Sequence, residues 1–335
     1  MADRFIVSEV QQIGVESSPG SAAVPTIQLN GLNFEIDTDL EVDEFGPSGM
    51  LPMTIVAPRQ EWSSGSVSGY PTYTEIAYVF SNVLGAATVS TPSGATDARR
   101  WLWEPDESTP WTPKTLTLRR GVSGGTAEEA NYLLLSGLGL TFSRTAAPEL
   151  SGDLFARRMD YAATLAATGV GSHELVPILP SQCDVYLDSS SGSLGSTKLL
   201  RDFEFSWSIA DLFDMIWPIN SALPSFAAHS VQKPTIEAML RLGNDTVGTG
   251  LVTNMRAGST VWVSFHAEGA ANSIESGQAY ELTINVPLKV FSAPSRADEN
   301  GLSTLEWTFR NVYDPTWGKW ISIELITDFA ALGTP

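Results

Sequence analysis

Leu32-Asn-Phe34-Glu-Ile36, followed by Asp39-Leu40, is matched further along the chain by Phe203-Glu-Phe205-Ser-Trp207, followed by Asp211-Leu212. Downstream of the first copy stand Pro47 and then Leu51-Pro52; downstream of the second stand Pro218 and then Leu223-Pro224. One short match between alternating segments arises by chance, whereas several in one order mark an internal repeat. Both copies alternate apolar and polar residues, the period that turns one face of a β-strand to a core and the other to water. The elements that follow also run parallel: a strand, a helix, the strands 115–119 and 261–266, and then strand pairs.

Most of the chain outside the repeat consists of short alternating runs bounded by Gly, Pro, Ser and Asn, the pattern of an all-β sandwich or barrel. Strands are expected over 34–42, 115–119, 132–142, 184–187, 203–209, 236–242, 261–266, 280–286 and 320–326. Segment 233–242 alternates Ile236, Ala238, Leu240 and Leu242 with polar residues and reads as a strand rather than a helix. The best helix is 72–84, where Tyr73, Ile76, Ala77, Phe80, Val83 and Leu84 share a face, Thr72 and Glu75 form a capping box and Gly85 supplies the stop. A second, short helix is expected over 250–257. Each half closes on a short alternating strand, 184–188 and 321–326, and the Ser- and Gly-rich turn 189–197 marks a boundary. The resulting expectation is a mainly β chain with an N-terminal arm over 1–29 and two tandem domains over 30–197 and 198–335, each a sandwich or barrel with a flanking helix.

The run Glu35-Ile-Asp37-Thr-Asp39-Leu-Glu41-Val-Asp43-Glu44 needs its own account. A calcium loop of the EF-hand type requires Gly at its sixth position, and six from Asp37 lies Val42. Period two fits instead: Phe34, Ile36, Leu40 and Val42 face one way and Glu35, Asp37, Asp39, Glu41 and Asp43 the other. Like charges side by side destabilise a strand unless water screens them. The acidic face is therefore either an ordinary solvated surface or the wall of a wet channel.

Composition narrows the function classes. The 335 residues carry 38 acids against 19 bases, a net charge of −19, and the bases come at most in pairs such as Arg99-Arg100 and Arg157-Arg158. A protein that grips phosphates needs clustered cations, so nucleic-acid binding is disfavoured, although a surface that DNA slides past would carry this sign. The single cysteine, Cys183, forms no intramolecular disulfide. The opening Met1-Ala-Asp-Arg-Phe-Ile-Val-Ser-Glu lacks the apolar stretch of a signal peptide, no window approaches a membrane span, and no membrane partner is expected.

Catalytic constellations do not emerge. His173, His229 and His266 are scattered, without a second ligand at metal spacing, so neither a metal nor a cofactor is expected. Gly192-Ser-Leu-Gly195-Ser-Thr-Lys198 has the wrong spacing for a phosphate loop, and nothing near Cys183 activates a thiolate. A non-enzymatic, structural role is the expectation.

Further residues carry a family resemblance. Asp184-Val-Tyr-Leu-Asp-Ser-Ser-Ser-Gly leads into Leu199-Leu-Arg-Asp-Phe-Glu-Phe-Ser-Trp-Ser, after a strand pair, a long polar loop, a helix and more strands. Near the C-terminus stand Glu281-Leu-Thr-Ile-Asn-Val-Pro-Leu-Lys-Val290, Asp298-Glu-Asn-Gly301, Trp307-Thr-Phe-Arg-Asn-Val-Tyr-Asp314 and Trp320-Ile-Ser-Ile-Glu-Leu-Ile-Thr327. With this order the chain resembles the tail tube (major tail) proteins of long-tailed bacteriophages over most of 30–330. The resemblance implies rings stacked into a hollow tube in the virion tail, assembled in the host cytoplasm, with a lumen through which DNA passes without sequence-specific binding. Its implied partners are further copies of itself, the tape measure protein and the tail terminator. Members usually carry one tube domain and form hexamers; two domains per chain imply trimeric rings of pseudo-sixfold symmetry, with a hexamer as the other stoichiometry.

On this reading Glu35, Asp37, Asp39, Glu41 and Asp43 are the lumen-facing candidates. The long loops 45–69 and 214–232 suit ring-to-ring contact, with Phe45, Met50, Leu51, Trp62, Met215, Trp217, Leu223 and Phe226 as anchors or, equally, as core. The competing reading is a carbohydrate-binding or adhesin-type sandwich, in which Trp101, Trp103 and Trp111 stack on sugars; a hydrolase ranks third.

Overall fold

The computed structural model describes residues 9–46, 48, 55–106, 110–123, 125–219 and 225–334. Within them the chain is mainly β, with two α-helices and one large mixed sheet. In the first half, β1 (Val10–Val15) pairs with β7 (Leu116–Gly121), β7 with β8 (Thr126–Leu135), and β8 with β11 (Asp160–Thr164). The hairpin of β3 (Leu32–Phe45) and β4 (Ile55–Gly69) continues through β10 (Glu149–Ala156), which takes β9 (Leu138–Ser143) along one stretch and the end of β8 along the other.

The second half uses these pairings again, in the same chain order. β13 (Cys183–Asp188) pairs with β18 (Val261–Glu268), β18 with β19 (Glu281–Val290), and β19 with β22 (Ser322–Thr327). The antiparallel pair β14 (Asp202–Ala210) and β17 (Thr235–Gly243) continues through β21 (Leu302–Asn311), which takes β20 (Ser295–Glu299) along one stretch and the end of β19 along the other. A helix follows the second strand of each pair: α1 (Ile76–Leu84) after β4 and α2 (Thr246–Ala257) after β17. Register agrees as well, since Gly65 lies between Ile36 and Leu154 just as Ala238 lies between Trp207 and Phe309. Ile36 and Trp207 are also the residues that the sequence repeat aligns.

Two connections tie the halves together. β9 runs antiparallel to β14, with Phe142 opposite Phe205, Leu140 opposite Trp207 and Leu138 opposite Ile209. Beyond α1 the chain crosses over: β6 (Arg99–Trp103), paired with β5 (Thr88–Ser90), lies along β22. β2 (Ile27–Leu29) adds to β1, and β12 (Gly171–Ser172) to β2. The apolar sides meet in one core, where Phe142 and Phe205 stack on Phe265 at centroid distances of 4.5 and 4.9 Å.

Several expectations change. The strand expected over 132–142 is broken at Ser136 and Gly137, whose N–H groups both donate to the Asp153 carbonyl, at 2.8 and 3.3 Å; this bulge shifts the register against β10 by one residue between β8 and β9. The supposed loop 45–69 is largely β4. Its Ser- and Gly-rich sequence hides a strand because Ser64, Ser66 and Ser68 occupy a watery face, while Gly65 lies so close to β3 that an added Cβ would come within 1.9 Å of the Glu35 carbonyl. Within 214–232, β15 (Phe213–Ile216) and β16 (Ala228–Val231) form a small hairpin. The strand 183–188, read as closing the first half, pairs along β18 instead.

The first helix begins at Ile76, later than expected, and all its residues are buried, so it is enclosed rather than amphipathic. Thr72 Oγ1 does accept from Glu75 N at 3.1 Å, but the Glu75 carboxylate reaches away to the backbone N–H groups of Asn30, Gly31 and Leu32. The second helix starts earlier than expected, because Asp245 Oδ1 accepts from Val247 N and Gly248 N as its N-cap.

Candidate functional site: a polar sheet face with an exposed arm

Directly opposed residues in an antiparallel ladder share a face. Followed across β3-β4-β10-β9-β14-β17-β21-β20, this rule sorts the side chains of a continuous eight-stranded ribbon. One face is core, from Phe34, Ile36 and Val67 through Leu140, Phe142 and Trp207 to Leu240, Trp307 and Phe309. The other reaches solvent over most of its length. It presents Glu35, Asp37, Ser66, Ser68, Ser151, Asp153, Thr141 and Ser143 from the first half, then Glu204, Ser206, Ser208, Glu237, Arg241, Glu306, Thr308, Arg310, Ser295 and Glu299 from the second. Met239, Ala297 and Leu302 are apolar members of this face, and at its β3 end Trp62, opposite Asp39, and Phe155, opposite Ser64, are covered by Trp217 and Phe226.

Acids outnumber bases on this face. Arg241 lies among three carboxylates, with guanidinium nitrogens 3.0 Å from Glu204, 3.6 Å from Glu299 and 3.6 Å from Glu306, and Arg310 pairs with Glu237 at 2.9 Å. Glu35 and Asp37 are exposed, and Asp39 accepts from the Ser64 hydroxyl. Glu41 is ion-paired with Arg59, whose Nε lies 3.8 Å from Asp43. The pair cancels one of the carboxylate charges that the tip of β3 presents.

The strict two-faced reading of the acidic strand holds only at its base. Phe34 and Ile36 are buried, whereas Leu40 and Val42 are exposed, and a register shift at Glu41/Val42 leaves Arg59 without an opposite residue. Beyond Thr38 the hairpin extends past the core as an arm, so Leu40, Val42, Phe45, Ile55 and Val56 all stand in solvent. Of the expected contact anchors, Phe45 is on this arm; Met50, Leu51 and Leu223 lie outside the described residues, as do Pro47, Pro52 and Pro224 of the repeat. Four others serve the core. Trp62 meets Trp217 edge-on at 5.7 Å, Trp217 meets Phe226 at 6.0 Å, and Phe226 is fully buried between Tyr132 and Phe155, with Met215 packed alongside the core. The small β15–β16 hairpin folds back over this part of the first half, which explains their burial.

The remaining reactive groups are tied into packing. Glu16 is buried and accepts from Gly20 N, Thr115 Oγ1, Thr117 Oγ1 and Tyr132 N, pinning the start of the chain to β7 and β8. Burial pushes the Glu75 carboxyl up against the opposing effect of its three backbone donors. Burial also pushes the Cys183 thiol up to about 12, and its S–H donates to the Leu179 carbonyl, so it is held as a thiol rather than an activated thiolate. His173 and His229 are both lowered by burial; they bond Tyr78 OH and Tyr132 OH. Trp101 and Trp103 are buried, Trp101 donating to the Phe329 carbonyl, so neither presents a ring face to solvent; Trp111 is partly buried, donates to Val83 O and packs on Trp320. Among the described residues no group of three or more His, Cys, Asp or Glu side chains has metal-binding geometry, and no helix is long and apolar enough to cross a membrane.

No family model and no curated protein matches this chain.

Proposed function

We propose that this chain is a tube-building structural subunit: two tandem copies of one sheet-forming unit, assembling side by side into rings whose polar, acidic sheet face lines a water-filled lumen. One observation carries this reading. The ladder of pairings occurs twice, and its polar face continues without a break from one half to the other through β9 and β14. A wall rich in Ser, Thr and carboxylates, with its few arginines already paired, repels a polyanion and offers it no phosphate-binding cluster. That is the chemistry of a surface DNA passes without sticking.

The joint between the units falls between β12 and β13, earlier than the turn at 189–197. β13 supports this by filling, along β18, the place that β1 fills along β7. β11 and β22 then close the two units in the same way, on β8 and β19. Two units per chain make a trimeric ring the equivalent of six. The exposed arm, with Leu40, Phe45 and Ile55, is placed to touch the next ring or a tail-completion protein, and exposed apolar side chains grouped in this way mark contact surfaces. A phage virion tail, assembled in the bacterial cytoplasm and completed by tape measure and terminator proteins, is the setting this function fits.

Electron microscopy of the concentrated purified protein is expected to show rings or tubes. A strictly monomeric species at every concentration overturns the reading. For the lumen, Asp37→Lys with Asp39→Lys is expected to leave assembly intact and impair genome passage; undiminished infectivity of the double variant removes the acidic face from the lumen.

A further inference from the structure

The eight-stranded ribbon ends in two strands that pair on one side only among the described residues, β3 at one end and β20 at the other. By position in the repeated ladder, β20 corresponds to β9 and β3 to β14, and β9 and β14 are the strands joined inside the chain. From this we infer that β20 of one copy pairs antiparallel with β3 of the next, repeating between chains the joint that β9 and β14 make within one. The inference rests on the tube-subunit reading and adds its partner, edge and register.

The register follows from the internal joint. Transferring the β9–β14 pairs through the strands each ladder shares sets Asp298 opposite Phe34 of the neighbouring copy, Arg296 opposite Ile36, and Ala297 opposite Glu35. Backbone polarity agrees with that register. Phe34 points its N–H and C=O away from β4, because both are taken by the Gln11 carboxamide, at 2.8 and 3.1 Å. Hydrogen-bonding direction alternates along each strand, so the same parity carried across the ladder turns the N–H and C=O of Arg296 and Asp298 outward from β21. Outward groups therefore meet outward groups.

Both edges carry protection in the free chain. Gln11 gives Phe34 the two bonds that a neighbouring strand would give, and the Arg120 guanidinium donates to the Ile36 carbonyl at 3.3 Å. β20 is short, and it has Arg296 and Asp298 at the positions where β9 has Leu140 and Phe142. Charged residues on the inward face of an edge strand and side chains covering its backbone are devices against premature pairing. They leave a joint held by main-chain bonds that forms only when two copies are brought into line.

Geometry favours three copies. With strands about 4.8 Å apart and tilted about 40°, a closed sheet of two copies is roughly 30 Å across and one of three roughly 50 Å. Side chains take about 10 Å of either width, which leaves room for a hydrated duplex only in the larger ring.

The test uses the full chain in a Cys183→Ser background with Glu35→Cys and Ala297→Cys. These residues form a non-hydrogen-bonded pair in the inferred register, the closer kind and suited to a disulfide. Oxidation of assembled protein is expected to give covalent multimers ending at the ring size as the main species on a non-reducing gel. The single variants, and the out-of-register pair Glu35→Cys with Asp298→Cys, are expected to give at least tenfold less. Rings without crosslinking in the first pair, or equal crosslinking in the controls, overturn this joint and leave the tube reading standing; absence of any assembly in the parent chain overturns both. Arg296→Pro removes one outward N–H and no bond to β21, so it is expected to abolish rings while the monomer keeps its β circular dichroism; rings at parent level overturn the inference.

Discussion

The two long hairpins begin alike and end differently. At their bases Ile36, Gly65 and Leu154 occupy the same places as Trp207, Ala238 and Phe309, on one core. At their tips they part. The second turns at Asp211, which has φ 58°, into β15 and β16, and lays Trp217 and Phe226 against Trp62, Tyr132 and Phe155. The first runs straight on and leaves Leu40, Phe45 and Ile55 in water. One tip packs into the chain's own core, and the other leaves apolar side chains exposed. The largest expected effect comes from breaking the folded-back tip. Phe226→Ala should destabilise the protein by about 3–5 kcal/mol in denaturant titration, as removal of a fully buried aromatic does. A loss below about 1 kcal/mol would mean that this tip is not part of the core.

The polar face shows the same divergence on a smaller scale. In the first half Ser68 of β4 stands between Asn33 and Ser151; at the corresponding place in the second half Arg241 stands between Glu204 and Glu306, with Glu299 beside them. A neutral row needs no counter-ion, whereas clustered carboxylates do. Arg241→Met should therefore cost about 1–2 kcal/mol, partly recovered at high salt because screening replaces the lost cation. Ser68→Ala should fall within about 0.5 kcal/mol of the parent and show no salt dependence. Equal effects of the two substitutions would erase the distinction between the halves of the polar face.

What the sequence made legible follows from where packing forces a pattern. Phe34, Ile36, Phe205 and Trp207 alternate cleanly because one side of each strand is core, and those strands and their mutual alignment agree with the ladder. β4 shows no hydrophobic period because over 63–69 one side is Ser64, Ser66 and Ser68 and the other Ser63, Gly65, Val67 and Gly69, with Gly65 pressed against β3. Leu40 and Val42 alternate as if packed, yet no second layer covers them among the described residues, and periodicity alone cannot report how far a core extends. The acidic side chains of β3 are visible as a run, but the rest of the polar face is assembled from seven other strands, and only strand register brings them together.

Acid should act on the folded-back tip and not on the arm. His229 on β16 accepts or donates at 2.9 Å with Tyr132 OH and stands edge-on to Phe213, and burial lowers it from its ordinary value. The unfolded chain therefore takes up that proton first as pH falls. The stabilising effect is complete above the ordinary histidine value and is lost as pH drops through the folded one. Thermal scans are expected to show the melting temperature falling by a few degrees between pH 7.5 and 5.5, with a matching change in Trp217 fluorescence. His173 is lowered in the same direction, so the scan is repeated with His173→Gln; a pH response abolished by that substitution would assign the effect to the contact of His173 with Tyr78 and not to the folded-back tip.

The smallest effect on stability belongs to the arm, and there it is the most informative. Phe45 and Ile55 face each other at the outer end of the β3–β4 ladder, both more than half exposed, so Phe45→Ser with Ile55→Ser removes little buried surface from the monomer. Surface changes of this kind stay within about 0.5 kcal/mol, and the melting temperature should be unchanged within error. Tube length should not be. If these side chains cover a neighbouring ring, their loss leaves rings that form but no longer stack, visible as short stacks in micrographs at a concentration where the parent gives long tubes. Full-length tubes from the double variant would show that the arm's apolar surface is covered by something other than the next ring, and the contrast between the two hairpin tips would then rest on the folded-back one alone.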